Sequence, residues 1–396
     1  MANWQELEGK YFMSTGRRQP VTLVRGEGVK VWDEDGKEYL DFVGGIAVTG
    51  LGHCHPALIE ALEKQSRALW HVSNLYYTVP QVELAQILVE NSCCDEVFFQ
   101  NSGAEANEAA IKIARKHGKV NLNGAYEVIS AMQSFHGRTF AMVAATGQPD
   151  HQATFTPLPQ GFVNVPFNDI EAVISATSEH TCAVMLEPIQ GEGGVNVPSR
   201  EYLQQVRDWC DQRNLLLIFD EVQTGIGRTG NLFAYQHFGV EPDVMTLAKA
   251  LGGGFPIGAV MAKKSASVFE PGDHGSTFSG NPLGTAVAAA NMRYILDNEV
   301  VGNARRVGER LRSGLEGLTG KHDLAVGVRG VGLLLALALN DDVSGALVNE
   351  CRDRGLLVNP VKPNALRLIP PLILSDDEAD KAIEILDAAL GAVAQA

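Results

Sequence analysis

Hydrophobic residues along the chain form short continuous runs that alternate with segments of helical spacing. Apolar runs of strand length lie within DEVFFQ, EVISAM, CAVMLEP, LLLIFD and DVMTLAK. Between them, GAEANEAAIKIARKHG places Ala106, Ala109, Ala110, Ile113 and Ala114 on one stripe, and SREYLQQVRDWCDQRN has the spacing of another helix. Continuously apolar strands separated by helices are typical of a mainly parallel sheet covered on both faces. We therefore predict an α/β fold.

The two ends of the chain have a different pattern. Near the N-terminus, GVKVWDEDGKEYLDF alternates around a DEDG turn like a hairpin, and PALIEALEKQSRALW has helical spacing. After about Asn281, a long helical stretch leads into VGLLLALAL, another helix, ALRLIPPL and a final helix. We predict a large domain over residues 66–282. The smaller α+β domain is predicted to combine residues 283–396 with an N-terminal segment, residues 1–65.

Composition and charge exclude several classes of partner. The 396 residues carry a formal net charge of −15, with a sequence pI near 5.1, so the basic surface of a nucleic-acid or membrane binder is not expected. The start MANWQELEGKYF lacks the pattern of a signal peptide. Six cysteines without C-x-x-C spacing indicate a reduced, cytoplasmic protein. His53-Cys54-His55 before Pro56 fits a loop entering a helix, and we predict no metal site.

Two charged residues follow apolar strands. Lys249 ends the run DVMTLAK before the glycine-rich GGGFPIGA, and Asp220 ends LLLIFD. Ligands of open α/β sheets bind at the carboxyl ends of the strands. A lysine and an acid at two such ends are what a pyridoxal phosphate (PLP) enzyme needs, to form an imine and to keep the pyridinium nitrogen protonated. A structural ion pair is the alternative interpretation of the two residues alone.

Two further loops carry candidate ligand-binding groups. Asn101, Ser102, Gly103 and Ala104 follow the strand VFFQ and open a helix, where backbone N–H groups can bind a phosphate. Ser102 is equally explained as a plain helix cap. In the loop FHGRT, Phe135 is suited to stack on a flat ring and Arg138 to bind a carboxylate, although an aromatic residue beside glycine is often only packing.

A glycine motif favours a competing function. Residues 225–230, GIGRTG, match the G-x-G-x-x-G pattern of dinucleotide-binding proteins. In such proteins the motif enters a helix at once, whereas here four residues separate it from the strand and the segment after it is poorly helical. An NAD-dependent oxidoreductase is therefore the least favoured enzyme class. The loop HGSTFSGNP before the next long helix is either an anion-binding loop or a surface connection.

Taken together, these stretches resemble the class III aminotransferases of the PLP fold type I superfamily, and most closely the acetylornithine aminotransferases. The resemblance extends from about Val24 to Pro371. It is carried by LVRGEGVKVWDEDGKEYLDF, GHCHP, NSGAEANEAAIKIAR, FHGRT, LEPIQGEGGV, FDEVQTGIGRTG, LAKALGGGFPIGA and HGSTFSGNPLG, in that order. The resemblance implies the aspartate aminotransferase-like fold, with a mainly parallel large domain and a smaller α+β domain.

The resemblance also implies roles for the residues around the cofactor. Lys249 is then the lysine that binds PLP as an imine and moves the proton, and Asp220 pairs with the pyridinium nitrogen. The remaining cofactor contacts that it implies are Ser102, Gly103 and Ala104 on the phosphate, Phe135 and Val222 on the two ring faces, Gln223 on the phenolic oxygen, and Thr277 reaching the phosphate of the neighbouring subunit. That last contact implies a homodimer with shared active sites.

Substrate contacts follow from the same resemblance. Arg138 matches the arginine that binds the α-carboxylate of the amino donor, and Arg367 matches the arginine for 2-oxoglutarate. Glu192 matches a glutamate that neutralises the second arginine while the donor is bound. Glu187 matches another acid near the ring, whose role the sequence leaves open. From the residues alone, Arg367 is equally explained by a surface ion pair of little energetic value.

Two departures from the family pattern concern the donor. Gly16 stands where many relatives have a tyrosine that helps to bind the donor carboxylate. The stretch Gly44-Gly45-Ile46 lacks the aromatic residue of ornithine δ-aminotransferases, which leaves room for an acyl group. We therefore expect transfer of the distal amino group of N-acetylornithine to 2-oxoglutarate, as in arginine biosynthesis. Succinylornithine, succinyl-diaminopimelate, ornithine, 4-aminobutyrate and carrier-linked lysine remain alternative donors, and a PLP aminomutase is an alternative class.

Overall fold

The computed structural model describes residues 3–362 and 364–395. The helices, in chain order, are α1 (Trp4–Tyr11), α2 (Gly44–Ala47), α3 (Pro56–Ser66), α4 (Val79–Glu90), α5 (Gly103–Asn121), α6 (Phe140–Ala145), α7 (Pro149–Ala153), α8 (Ile170–Ala176), α9 (Arg200–Arg213), α10 (Ala234–Phe238), α11 (Pro282–Asp297), α12 (Val300–Thr319), α13 (Ser344–Asp353) and α14 (Asp376–Val393). The strands are β1 (Leu23–Glu27), β2 (Lys30–Asp33), β3 (Glu38–Asp41), β4 (Glu96–Gln100), β5 (Glu127–Ala131), β6 (Phe162–Val165), β7 (Thr181–Leu186), β8 (Leu216–Asp220), β9 (Val244–Leu247), β10 (Gly258–Ala262), β11 (Ala325–Val331), β12 (Leu334–Leu339), β13 (Leu356–Leu357), β14 (Asn359–Val361) and β15 (Ala365–Leu368).

The central sheet has the strand order β4-β10-β9-β8-β7-β5-β6. Strands β9, β8, β7, β5 and β6 are parallel to one another, and β10 runs antiparallel to both of its neighbours. Every residue of β7, β8, β9 and β10 is buried, as expected for a sheet with both faces covered. The predicted mainly parallel α/β sheet is confirmed. Strand β10, within GFPIGAVMA, was missed because its pattern does not reveal its direction.

The direction of the strands brings the candidate residues to one edge of this sheet. Asp220 is the last residue of β8, and Lys249 comes two residues after β9. Ser102 follows β4, which lies antiparallel to β10 and therefore runs in the same direction as β9. The loop containing Phe135 follows β5, and Glu187 follows β7 directly. The carboxyl ends of five strands thus converge at a single edge.

The C-terminal part forms an antiparallel sheet of order β11-β12-β15-β14. Its helices α12 and α14 pack against each other through buried faces that include Leu311, Leu315 and Leu386. The predicted long helical stretch before it is wrong in one respect, because the stretch is two helices, α11 and α12. The break falls at Glu299, whose backbone is left-handed with φ of 53°, a conformation that ends a continuous right-handed helix.

The N-terminal strands join this C-terminal part of the chain. Strands β1, β2 and β3 are antiparallel, which confirms the hairpin around DEDG, and β13 adds to β3 in parallel through Leu356 and Leu40. His55 caps α3 and Pro56 is its first residue, as predicted for this loop. The domain limits at residues 65/66 and 282/283 stay a prediction. None of the described helices is both long and apolar enough to cross a membrane.

Candidate active site

A cavity of about 460 Å³ opens at the carboxyl edge of the central sheet. Most of the residues that the sequence singled out line it: Ser102, Gly103, Ala104, Phe135, Arg138, Glu187, Glu192, Asp220, Val222, Gln223 and Lys249. They come from loops far apart in sequence, so the fold assembles them. A volume of this order suits a cofactor-sized ligand.

Two predicted residues lie apart from this lining. Arg367, on β15, is fully buried behind the cavity, where it contacts Glu192 and Gln223. The alternative of a surface ion pair is therefore wrong for Arg367, since its side chain has no exposed area. Thr277 is exposed, on a segment whose neighbouring Ser276 accepts hydrogen bonds from Asn74 and Asn101. Its contact with a second subunit stays a prediction.

The Asp220 carboxylate is held by three hydrogen bonds. Oδ2 accepts from Asn107 Nδ2 at 2.7 Å and pairs with His136 Nδ1 at 2.8 Å, while Oδ1 accepts from the Val222 backbone N–H at 3.0 Å. Burial acts to lower the pKa of the His136 imidazole, but the hydrogen bond and charge of Asp220 raise it above its usual value. Asp220 is thus a fixed, buried acceptor facing the cavity.

Asn107 connects this carboxylate to the neighbouring strand. It accepts a hydrogen bond from Thr246 Oγ1 at 2.6 Å and also donates to the His136 carbonyl oxygen at 2.7 Å. No role was predicted for Asn107 from the sequence. The sequence did contain a signal for such a role. Asn107 follows Ala106 at the apolar stripe of α5, and a buried amide in that position requires polar partners.

Replacing Asn107 with alanine is expected to destabilise the protein by about 1–3 kcal/mol, because buried partners at Thr246 and His136 lose their hydrogen bonds. Urea unfolding of the variant measures the change in the free energy of unfolding. Thr246→Val is the matched control. It removes only the Thr246 hydroxyl, which donates to Asn107, so its loss of unfolding free energy should be smaller. Equal stability of Asn107→Ala and the unchanged protein would contradict this role.

Lys249 begins a short 3₁₀ turn, Lys249–Leu251, just after β9. Its φ of 45° is left-handed, a conformation that costs a non-glycine residue free energy and that the surrounding structure must hold in place. Burial lowers the pKa of the Lys249 amine below its usual value, while the charge of Glu192 partly opposes this effect and that of Arg367 adds to it. A lowered pKa favours the neutral amine, which is the nucleophilic form.

Opposite Lys249, the N-terminus of α5 faces the cavity. Ser102 is the N-cap of this 19-residue helix, and its hydroxyl accepts from the Glu105 backbone N–H at 3.2 Å. A Cβ on Gly103 would lie 2.8 Å from Val222 Cγ1, so only glycine allows this close packing. The helix cap and the phosphate-binding interpretation of Ser102 are compatible, because Gly103 and Ala104 also line the cavity and the first N–H groups of a helix have no intrahelical partners.

Arg138 lies at the mouth of the cavity. Its guanidinium is 5.3 Å from the centre of the Phe135 ring, and Nη2 lies 3.3 Å from His151 Nε2. Burial lowers the pKa of His151, and the charge of Arg138 lowers it further. A neutral imidazole can accept from a guanidinium, whereas a protonated one cannot. His151 was not among the predicted site residues, because it lies on the separate helix α7.

Glu187 is a buried acid that joins two loops of the site. Its Oε2 accepts from the Phe135 backbone N–H at 2.9 Å, and its Oε1 accepts from the Gly191 backbone N–H at 3.2 Å. Burial raises the pKa of Glu187 to about 7. These bonds place the loop that carries Phe135 in a fixed position relative to the loop that carries Glu192.

Glu192 forms the centre of a buried charged cluster. Arg367 Nη1 donates to Glu192 Oε1 at 2.5 Å, and Arg367 Nη2 donates to Oε2 at 3.3 Å. Gln223 Nε2 donates to the same Oε1 at 3.0 Å. Burial acts to raise the pKa of Glu192, but the charge and hydrogen bonds of Arg367 hold it below its usual value. Glu192 therefore neutralises Arg367 at neutral pH.

The glycine motif at residues 225–230 has a structural role that argues against a dinucleotide site. It forms a loop after β8, and Arg228 within it is buried. Arg228 Nη1 donates to the carbonyl oxygens of Leu333 and Pro370, at 3.1 and 2.5 Å, so the loop attaches the C-terminal sheet. Burial lowers the pKa of Arg228 to about 9. The motif does not open a helix toward the cavity, as a dinucleotide fingerprint would.

Comparisons with known proteins agree with this geometry. The model of the aminotransferase class-III family matches residues 12–390. An acetylornithine aminotransferase from Caldanaerobacter subterraneus subsp. tengcongensis is 51% identical over 387 residues, covering 98% of both chains. The structure of an acetylornithine aminotransferase from Elizabethkingia anophelis has a TM-score of 0.88 at 37% identity, covering 98% of both chains. An ornithine aminotransferase from Toxoplasma gondii, with PLP partially occupying its active site, has a TM-score of 0.94 at 35% identity, covering 99% of this chain and 94% of that one.

The sheet, its cavity and these matches define a PLP-dependent transaminase of fold type I. Within that class, the chain belongs to the class III aminotransferase family. The residues present fit the cofactor. A half-buried lysine, a buried carboxylate with its own hydrogen-bond partners and the N-terminus of a long helix face one cavity. These are the groups that an aldehyde, a pyridinium nitrogen and a phosphate require.

Proposed function

We propose that this protein transfers the distal amino group of N-acetylornithine to 2-oxoglutarate, giving N-acetylglutamate 5-semialdehyde and glutamate. The observation that carries the proposal is the pair of arginines around Lys249. Arg138 is exposed at the mouth of the cavity, whereas Arg367 is buried and neutralised by Glu192. A donor with one carboxylate and an acceptor with two bind in turn, so the site requires an arginine for each, one of which can be hidden. Relatives at about half identity that bear the acetylornithine aminotransferase name support the same donor.

Within this proposal each residue of the chain has a physical task. The bound cofactor supplies the carbonyl carbon and the electron sink that amino transfer requires. Lys249 would hold the cofactor through its neutral amine and would carry the proton that leaves the substrate carbon. Asp220 would hold the proton of the cofactor's ring nitrogen, and its own position is fixed by Asn107 and His136. Ser102 and the first turn of α5 bind the phosphate.

The donor side of the cavity is formed by Arg138 and the turn after β3. Gly44, Gly45, Ile46 and Ala47 all have positive φ, between 55° and 65°, so α2 is a left-handed turn. This turn leads into Val48, which lines the cavity, and it carries no aromatic side chain. We infer that the acetyl group of the donor lies on this side. Gly16 lies on the exposed N-terminal segment, outside the cavity lining.

Replacing Arg138 with alanine is expected to raise KM for N-acetylornithine by about 30- to 150-fold, because a charge-assisted bidentate contact is worth about 2–3 kcal/mol. KM for 2-oxoglutarate should change less, since Arg367, on β15, is the arginine that we propose for its α-carboxylate. Steady-state kinetics with each substrate varied in turn measures both. Arg306→Ala, which removes an exposed ion pair with Asp376, is the control. An unchanged donor KM would exclude Arg138 from donor binding.

We also propose a homodimer with shared active sites, in the cytoplasm, acting in arginine biosynthesis. Large apolar side chains are exposed together near Thr277, including Phe278 at 63% and, on the segment before α4, Leu75 at 79% and Tyr77 at 100%. Monomeric proteins rarely expose such a group of residues. Light scattering after gel filtration tests the dimer. Rescue of growth in an arginine-requiring strain tests the pathway.

The donor itself is tested with a panel of acylated and free ω-amines, followed by the spectral change of the first half-reaction. N-acetylornithine should give the highest second-order rate constant for this half-reaction. A higher value for succinylornithine, succinyl-diaminopimelate, ornithine, 4-aminobutyrate or a carrier-linked lysine would replace the proposed donor. Turnover without 2-oxoglutarate would indicate an aminomutase instead.

A further inference from the structure

Gln223 lies between the two charged residues that distinguish the substrates. Its Nε2 donates to Glu192 Oε1 at 3.0 Å, and its Oε1 accepts from Arg367 Nη1 at 3.2 Å. The amide therefore satisfies both members of the ion pair at once, with its donor on the anion and its acceptor on the cation. Gln223 is buried, so water does not replace these bonds.

The neighbouring loop is built around this amide. A Cβ added to Gly191 would lie 2.0 Å from Gln223 Oε1, so any other residue here would displace the Gln223 amide from its present position. Gly191 directly precedes Glu192, and its backbone N–H is held by Glu187 at 3.2 Å. The backbone at the base of Glu192 is thus fixed from one side by Glu187 and packed on the other side against Gln223.

We propose that Gln223 is a positioning residue of the substrate switch, which stabilises the state in which Glu192 covers Arg367. This inference rests on the proposed function, in which Arg367 must be uncovered for 2-oxoglutarate. It goes beyond a contact with the cofactor's phenolic oxygen, because one amide N–H bonds Glu192 while the second remains for the cofactor. Gln223 would then contact both the cofactor and the ion pair that determines which of the two substrates can bind.

Opposite effects are expected from two substitutions of this residue. Gln223→Leu removes both bonds to the ion pair, so Arg367 should be uncovered more easily and bind dicarboxylates more tightly. Gln223→Glu adds a second carboxylate beside Arg367, so the covered state should be stabilised and dicarboxylates should bind more weakly. General structural damage would weaken binding in both variants, so the sign separates the two explanations.

The test uses the holoenzyme and two non-reacting probes in isothermal titration calorimetry. Glutarate reports the site of Arg367, and N-acetylnorvaline, a donor analogue without the distal amine, reports the site of Arg138. For glutarate, we expect Gln223→Leu to lower Kd by about three- to tenfold, and Gln223→Glu to raise it by about tenfold or more. N-acetylnorvaline should bind both variants as it binds the unchanged protein. Gln148→Leu is the control, because its amide bonds only the Ser134 carbonyl outside the cavity.

Shifts of glutarate Kd in opposite directions, with N-acetylnorvaline unaffected, would support the inference. Any other pattern in the two variants would overturn it, including shifts in the same direction or no shift in either one. Failure of the unchanged protein to bind glutarate would overturn the proposed function together with this inference. Normal glutarate binding by the unchanged protein, with no effect of either substitution, would overturn the inference alone.

Discussion

Replacing Lys249 with alanine is expected to reduce transamination by at least about 10⁴-fold, which corresponds to about 5.5 kcal/mol of transition-state stabilisation. The lysine supplies both the attacking amine and the base that moves the proton, so a single substitution removes two tasks. Its neighbours would keep their positions, because Asp220 and Glu192 are fixed by other partners. The variant should therefore fold normally and remain able to bind the cofactor noncovalently.

Single-turnover kinetics with N-acetylornithine and 2-oxoglutarate measures this loss. Borohydride reduction followed by peptide mapping shows which lysine carries the pyridoxyl label. Lys264→Ala is the control, since Lys264 is an exposed lysine paired with Glu96 at the surface. Substantial residual transamination in Lys249→Ala, or a label on a different lysine, would exclude the assigned role.

Replacing Asp220 with asparagine should cost about 10³-fold in the rate of the first half-reaction, or about 4 kcal/mol. The substitution keeps the shape of the side chain but removes the charge that holds the pyridinium proton. His136 and Asn107 both bond Oδ2, so the new amide either keeps its oxygen there and leaves the Val222 backbone N–H without an acceptor, or turns its NH2 group toward both partners. We therefore expect the cofactor ring to withdraw electrons from the substrate more weakly, and the cofactor to bind with lower affinity.

Stopped-flow absorbance measures the rate, and equilibrium dialysis measures cofactor affinity. Asp220→Glu is the matched comparison, since it retains the charge at a different distance and should recover part of the rate. Asp243→Asn serves as the outside control, because Asp243 pairs with Arg207 away from the cavity. Rates within about tenfold of the unchanged protein in Asp220→Asn would contradict the role of its charge.

The local pattern of apolar and polar residues in the sequence was sufficient to predict most of the fold. Strands such as LLLIFD are apolar up to their last residue, and the alternation of such strands with helices indicates a covered parallel sheet. The end of a strand is also a local property, so Asp220 and Lys249 could be recognised before their spatial arrangement was known. Strand β10 was missed, because its place between β4 and β9 is set by pairings with residues more than ten positions away.

Residues that act through other side chains were harder to predict. Asn107 and His136 reach Asp220 from a helix and a loop, and their spacing in sequence gives no sign of this contact. The burial of Arg367 was not predicted either, because the isolated pattern ALRL fits a surface strand as well as a buried one. Its pairing with Glu192, 175 positions away, was expected only from the family resemblance and not from the local pattern. Thr277 depends on a second chain, so its role stays a prediction.

The attachment of the C-terminal sheet through Arg228 has a consequence for behaviour in concentrated salt. The acceptors of Arg228 are the backbone carbonyls of Leu333 and Pro370, rather than carboxylates. Dissolved ions screen exposed charges strongly but have little effect on a buried guanidinium that donates to neutral oxygens. Raising the ionic strength should therefore weaken binding of the donor at the exposed Arg138 at salt concentrations that leave the contact between the C-terminal sheet and the loop of Arg228 unchanged. Catalytic efficiency and thermal unfolding are expected to respond to added potassium chloride on quite different concentration scales.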